Sequence, residues 1–376
     1  MKPSDKPTPL WRDTRFLGIF AQIVVLILVG ALFGFFANNL ATNFRLGFNL
    51  GLLFDPHRAA SFDISDTVIP FSATDPIYKA ILVGLLNSLK VMLSGIILAT
   101  LLGILVGLGR LSNNWLVKTI TLVYVDIFRN TPLLLQLFFW YAGVFLRLPT
   151  VENPKNIFNV LLLTNRGIGI VWPGLTLQTG LSILFLIISL IFLAFLYGRN
   201  LPFKIIQVIF MLTILISCLA LDWQLPQVNA TTGQMTGGLI LSPEFTSLLV
   251  GLTVYTSAFI AEVVRAGVAS VNRGQWEAAK ALGLKPHLVM QLVIFPQALR
   301  VIIPPLTSEF LNLAKNSSLA SATLYKDVYA VAYTIFEKTG RALEMMLVVM
   351  VTYLIINLVI ALGMNWFNQR VQIKER

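Results

Sequence analysis

Apolar residues along the chain gather into runs too long for the core of a soluble domain, parted by short polar, basic or turn-rich stretches. A helix crossing about 30 Å of hydrocarbon needs roughly 20 predominantly apolar residues, because each residue advances the helix by only about 1.5 Å. That ruler marks eight segments: 16–37, 81–108, 132–148, 177–197, 203–221, 246–264, a broken stretch at 299–325, and 347–367. The third is short, and Pro296, Pro304 and Pro305 interrupt the seventh. Proline is tolerated in a bundle where neighbours or a cavity satisfy the freed carbonyls, so a pathway-lining break and a simple kink both fit. The first run follows Lys2, Lys6, Arg12 and Arg15 as a signal peptide would, yet its 22 residues exceed a signal h-region and predict an uncleaved anchor. The expected fold is an all-α membrane protein of about eight transmembrane helices.

The stretches between the runs set the organisation. Residues 38–75 mix aromatic and polar types over a length that suffices for a small lobe, while 149–176 and 222–243 carry the Pro, Gly, Asn and Thr of turns. Segments 177–197 and 203–221, joined by the short turn 198–202, read as a helical hairpin facing lipid. Gly30 with Gly34 and Gly103 with Gly107 are four apart and predict close helix packing. The predicted divisions are a tail and anchor helix at 1–37, an outer segment at 38–80, a first part of the helical core at 81–148, outer loops and the inserted hairpin at 149–245, and a second part of the core at 246–376 with a cytoplasmic loop at 272–297.

Composition agrees with this division and adds a direction. Apolar residues make up 56% of the chain and charged ones 12%, about half the density a soluble surface needs. The net charge of +11 would suggest nucleic acid in a soluble protein, but here the basic residues are scattered between apolar runs and report topology instead. With the N-terminus inside, 17 of the 28 basic residues fall on the cytoplasmic side, nine fall outside, and Lys90 and Lys315 lie within spans. Both termini are then cytoplasmic, as an even number of spans requires, and the expected location is the inner (plasma) membrane.

The residues available for chemistry are few. The single cysteine, Cys218, excludes an intrachain disulfide, and His57 and His287 lack a second metal-type ligand at helical spacing, so neither a metal site nor a catalytic residue is predicted. No Gly-x4-Gly-Lys-Ser/Thr loop is present to cradle nucleotide phosphates. Polar groups inside spans are costly and therefore candidates for a solute pathway. Asn87 and Lys90 share a helix face, Glu309, Asn312 and Asn316 recur at helical spacing beside Lys315, and Gln136 follows Pro132 by one turn. A pathway offering a carboxylate and amides suits an α-amino acid; neutralisation of Glu309 by a lysine between packed helices is the alternative. Glu262 and Arg265, three apart, read as a structural ion pair.

The loop at 272–297 carries the sharpest signal. Gln275, Trp276, Glu277, Ala278, Ala279, Lys280, Ala281 and Leu282 are a run of helix formers, Gly283 suits the left-handed position past a helix end, and Pro286 can open a second helix. A helix this short is marginal alone. Small Ala278 and Ala279 permit close backbone approach and Trp276 and Leu282 offer apolar bulk, so a partner's groove would supply burial; packing against its own chain is the alternative.

Glu277-Ala278-Ala279, three residues, Gly283, nine residues and then Val293-Ile294-Phe295-Pro296 resemble the EAA loop of binding-protein-dependent ABC importer permeases, with Val293 and Phe295 where Ile and Leu are usual. Arg129-Asn130-Thr131-Pro132-Leu133 is similar to the Arg-Gly-Thr-Pro-Leu segment of amino-acid permeases, with Asn130 in place of Gly, and the segments starting at Glu262, Lys315, Thr339 and Asn365 extend the match to the C-terminus. Residues 47–64 resemble the outer segment of large permeases for general or hydrophobic amino acids. The resemblance implies a type I importer core of five helices plus the anchor and hairpin, with no cofactor bound by this chain. ATP and Mg would sit on partner ATPase subunits that receive Gln275, Trp276, Glu277, Ala278, Ala279, Leu282 and Gly283. A second permease chain (or a second copy) and an outer-face amino-acid-binding protein would complete the assembly. An autonomous carrier or channel, for which the intramembrane Lys and Glu would be ion sites, is the competing class; a carrier has no reason to expose a short helix that needs an external groove.

Overall fold

The computed structural model describes residues 14–43, 51, 55, 59–197, 203–229 and 232–371. The expected inner-side residues Lys2, Lys6, Arg12, Lys374 and Arg376, the turn at 198–202 and most of 44–58 lie outside the described residues. The chain divides into two compact units, Met1–Leu52 and Leu53–Arg376. The first carries helix α1 (Thr14–Asn43), whose apolar stretch is Gln22–Phe36.

The second unit is a helical bundle. Four of its helical stretches are long and apolar enough to cross a membrane: Ile77–Arg110 (α2), Pro243–Ala269, Pro286–Thr323 and Ala342–Val371. A fifth is present if Trp115–Asn130 (α3) and Leu133–Arg147, bent by 105° at their junction, make one span. The other three expected spans are shorter apolar helices: the stretch in α1, and Leu177–Leu193 and Ile206–Leu219 within α5 (Leu177–Tyr197) and α6 (Phe203–Leu219). The segment α4 (Leu133–Phe138) runs on through a π-helical turn, Phe139–Val144, and a 3-10 turn, Phe145–Arg147.

The bend between α3 and α4 has a local cause. Thr131 precedes Pro132 and is held extended, at φ −105° and ψ 135°, as the proline ring requires of its neighbour. Gln136 reaches back across the break, and its Nε2 donates to Phe128 O at 3.0 Å and Thr131 Oγ1 at 2.7 Å. Lys118, Asp126 and Arg129 interrupt the apolar run of 115–130, which the hydrophobic pattern assigns to no span.

The centre of the bundle is the pair α2 and α7 (Pro243–Ala269). A Cβ at Gly103 would lie 2.6 Å from Ile260 Cβ, and one at Gly107 would lie 2.8 Å from Ala261 O, so these two glycines set the separation of the helices. Ser242 caps α7, its Oγ accepting from Phe245 N at 3.1 Å with Pro243 in the first turn. After α7 come α8 (Arg273–Ala281), a π-helical turn at Val289–Ile294, α9 (Phe295–Asn316), a 3-10 stretch at Ser317–Thr323, α10 (Val328–Thr339) and α11 (Ala342–Val371).

The all-α expectation is corrected in the loops on either side of α5 and α6. The described residues of 149–176 and 222–243, expected as turns, carry eight short strands. The strands β1 (Lys155–Ile157), β2 (Leu161–Thr164), β3 (Gly167–Ile170) and β8 (Leu239–Leu241) form an antiparallel sheet, and β8 leads directly into the α7 cap. Two small ribbons pair β4 (Trp172–Pro173) with β5 (Trp223–Gln224) and β6 (Gln227–Val228) with β7 (Met235–Thr236). We call the end of the bundle that bears this sheet the lobe end, and the opposite end, where α2 and α7 finish beside α8, the lever end.

At the lobe end the segment before α2 is clasped to the bundle by Asp66. Its Oδ1 accepts from Lys90 Nζ at 3.0 Å, its Oδ2 from Ser242 Oγ at 2.7 Å, and its backbone O from Asn87 Nδ2 at 2.7 Å. Nearby, buried Asp327 caps α10 by accepting from Ala330 N at 2.8 Å and also accepts from Tyr353 OH at 3.0 Å.

Candidate functional site: a lever helix and a charged cluster within the bundle

The nine residues of α8 are bounded as their types demand. Asn272 Oδ1 accepts from Gly274 N at 2.8 Å, and Gly283 takes φ +73° while Leu284 N donates to Ala279 O at 3.3 Å, closing the helix with a left-handed residue. Pro286 opens the next helical segment.

One edge of α8 is held by its own chain. Ala279 is buried, and Trp276 is half-buried against a cluster that includes Val268, Val271, Val289, Ile294 and Ala298. Gln275 Oε1 accepts from Gln297 Nε2 at 3.3 Å. Trp276 and Ala279, expected to serve a partner's groove, thus also pack on this chain's own cluster. A Trp side chain buries more area than almost any other and takes the nearest apolar surface, here the turn that precedes α9. The opposite edge has no such cover: Glu277, Ala278, Lys280, Ala281 and Gly283 are exposed, and Leu282 is 80% exposed. The helix is thus anchored along one edge and leaves a bare leucine at its tip.

The lever joins the bundle beside an ion triad. Glu262 accepts from Arg265 Nε at 3.1 Å, the expected pair, and also binds the Arg110 guanidinium at the end of α2. The second arginine lies 152 residues away in sequence and left no local pattern to read.

The candidate pathway residues separate into two groups. Asn87, Lys90 and Gln136 have their donors committed: Asn87 Nδ2 to Asp66 O and Lys326 O, Lys90 to Asp66 with its ammonium 4.1 Å from the Phe245 ring, and Gln136 to the α3–α4 break. These side chains fasten the frame rather than face an open surface, because Asp66 and the proline-broken backbone present partners that sequence spacing could not show. Glu309, Asn312, Lys315 and Asn316 lie along α9, with Asn312 and Lys315 exposed and Glu309 and Asn316 half-buried. Glu309 lies close to Asn312 and in the field of Arg129. Arg129, expected on the cytoplasmic side, instead stacks its guanidinium 5.1 Å from the Phe259 ring, near the middle of α7. This contact had no local pattern in the sequence beyond a cation directly before the Asn-Thr-Pro break.

Among the described residues no three His, Cys, Asp or Glu side chains group to hold a metal ion. Long apolar helices, opposite charges within the bundle and a half-covered lever at one end are features that fit a membrane transport subunit. The model for the family described as the binding-protein-dependent transport system inner membrane component matches residues 99–373, and the chain belongs to that family. It is 39% identical to the general L-amino acid transport system permease protein AapQ of Rhizobium johnstonii, over 97% of this chain and 94% of the relative. It is 41% identical to the glutamate/glutamine/aspartate/asparagine transport system permease protein BztB of Rhodobacter capsulatus, over 97% and 96%. A solved amino acid ABC transporter described with histidines aligns with 78% of this chain and 94% of its own, at 22% identity and a TM-score of 0.49.

Proposed function

We propose that this permease subunit moves amino acids into the cytoplasm as part of an ATP-binding-cassette importer. Relatives named for amino-acid transport, similar over nearly their whole length, support the solute class. The chemistry of the bundle is consistent with this: Arg129 offers a cation for the α-carboxylate, Glu309 a carboxylate for the α-ammonium, and Asn312 an amide beside Glu309. Lys315 and Asn316 continue this polar track along α9.

The observation that carries the coupling role is the exposed edge of α8. In the proposed assembly Glu277, Ala278, Leu282 and Gly283 enter a cleft on an ATPase subunit, which binds ATP and Mg, while Gln275, Trp276 and Ala279 root the lever in this chain. The lever end then faces the cytoplasm with both termini, and the lobe end faces an amino-acid-binding protein. Helix α1 supplies the anchor and α5 and α6 the inserted hairpin, giving eight spans in all, five of them the core. A second permease chain of different size faces Arg129 and Glu309; a homodimer is the alternative, which subunit counting of the purified complex resolves.

The test is uptake of a panel of labelled amino acids by cells with and without the chain, repeated with Arg129→Gln and Glu309→Gln. Uptake is expected to require the chain and an ATPase that co-isolates with it, and to fall sharply in both variants while co-isolation persists. Uptake that continues without any ATPase would establish the autonomous carrier instead, and undiminished uptake in both variants would remove the charged pair from the pathway.

A further inference from the structure

At the lever end, the last turn of α2, the loop after it and the first half of α3 enclose a cavity of about 350 Å³ against α7. Arg110, Leu111, Ser112, Lys118, Leu122 and Arg265 line it. Glu262 binds both guanidiniums, so one carboxylate balances two cations there, and Lys118 adds a third. The cavity is left with two positive charges in excess and a neutral donor, since Ser112 Oγ accepts from Asn114 N at 3.1 Å and keeps its proton to give.

We propose that this cavity binds the phosphate of an acidic phospholipid such as phosphatidylglycerol. The charge calls for an anion with several acceptor oxygens, and arginine guanidiniums present paired N–H groups to phosphate. What selects a lipid headgroup is the surface beside the cavity. The exposed flank of α2 just before it carries Leu101, Leu105 and Leu108, and Trp115, 73% exposed, stands at the start of α3 with Lys118 one turn on. Apolar flank, tryptophan and cations in that order are what the boundary between hydrocarbon and headgroups selects. Leu111, part of the cavity wall, also packs on the cluster that roots Trp276, so a bound headgroup braces the foundation of the lever. The site stands whatever solute the bundle carries.

The test uses the transporter purified with its partner subunits in mild detergent. Retained lipid is measured by native mass spectrometry for the unaltered chain and for Lys118→Gln, an exposed position whose change leaves the fold intact. The unaltered chain is expected to keep phosphatidylglycerol in preference to phosphatidylcholine, and the variant to hold it about fivefold less tightly, the effect of one basic residue near the surface. Excess glycerol phosphate is expected not to displace it. Equal retention by the variant would overturn the proposal. Displacement by glycerol phosphate would make this a soluble-phosphate site, and a cross-link from Lys118 to an acidic side chain of the ATPase would make it a protein interface; either result overturns the lipid assignment.

Discussion

Truncation of Leu282 to alanine isolates docking from folding. The side chain is 80% exposed, so the free chain loses almost nothing, within the roughly 0.5 kcal/mol typical of surface changes. If a cleft of the ATPase covers it, the truncation removes apolar contact at about 0.8 kcal/mol per buried CH₂, in all about 2 kcal/mol, or roughly 30-fold in the docking constant. The assay is a pair of measurements on the reconstituted transporter: thermal stability of the permease, and stimulation of ATP hydrolysis by the amino-acid-loaded binding protein. Leu282→Ala is expected to leave the first unchanged and to abolish most of the second. Trp276→Ala serves as the contrast, since its ring fills the chain's own cluster, and it is expected to lower stability as well. Leu282→Ala with full ATPase stimulation would show that the bare edge of α8 is not the docking surface.

Two further outcomes concern the frame. Gly103→Leu forces a side chain into a space where even a Cβ would sit 2.6 Å from Ile260, and is expected to cost about 3 kcal/mol of thermal stability, while Gly363→Ala, with nothing within 4 Å, is expected to be neutral or slightly stabilising. Asp327 is buried beneath α10, and burial pushes its carboxyl up to about 6. The folded state therefore holds this proton more tightly than the unfolded chain, so its contribution, on the order of 3 kcal/mol, is complete at low pH and is lost as pH rises from about 4 to 6. Asp327→Asn, which keeps a capping oxygen, is expected to flatten the stability profile across that window when melting is followed against pH.

What could be read from the sequence was governed by period and length. The runs within α2, α7 and α11 exceed the crossing length and have few charges, so their existence followed from apolarity alone. By contrast, α3 alternates apolar residues with Lys118, Asp126 and Arg129 and loses the signal. Strands of two to four residues containing Gly167 and Gly169 have too little alternation to be told from turns, and their pairing to β8 spans more than seventy residues. The boundaries of α8 were legible because Gly283 and Pro286 are conformational punctuation. Which of its edges faces home was not, because both carry apolar residues and only the position of the turn at Val289–Ile294 decides. The partner of Lys90, a candidate pathway residue, was not legible because Asp66 lies in a segment with no regular period.

The glycine seam between α2 and α7 bears on how access can alternate. With Gly103 against Ile260 and Gly107 against the Ala261 carbonyl, neither helix has slack to slide along the other. The pair is a girder, and in the proposed assembly a thrust from the ATPase would have to swing it whole. Opening and closing would then fall to a boundary with another permease chain, for which the bare Asn312 and Lys315 on α9 are available.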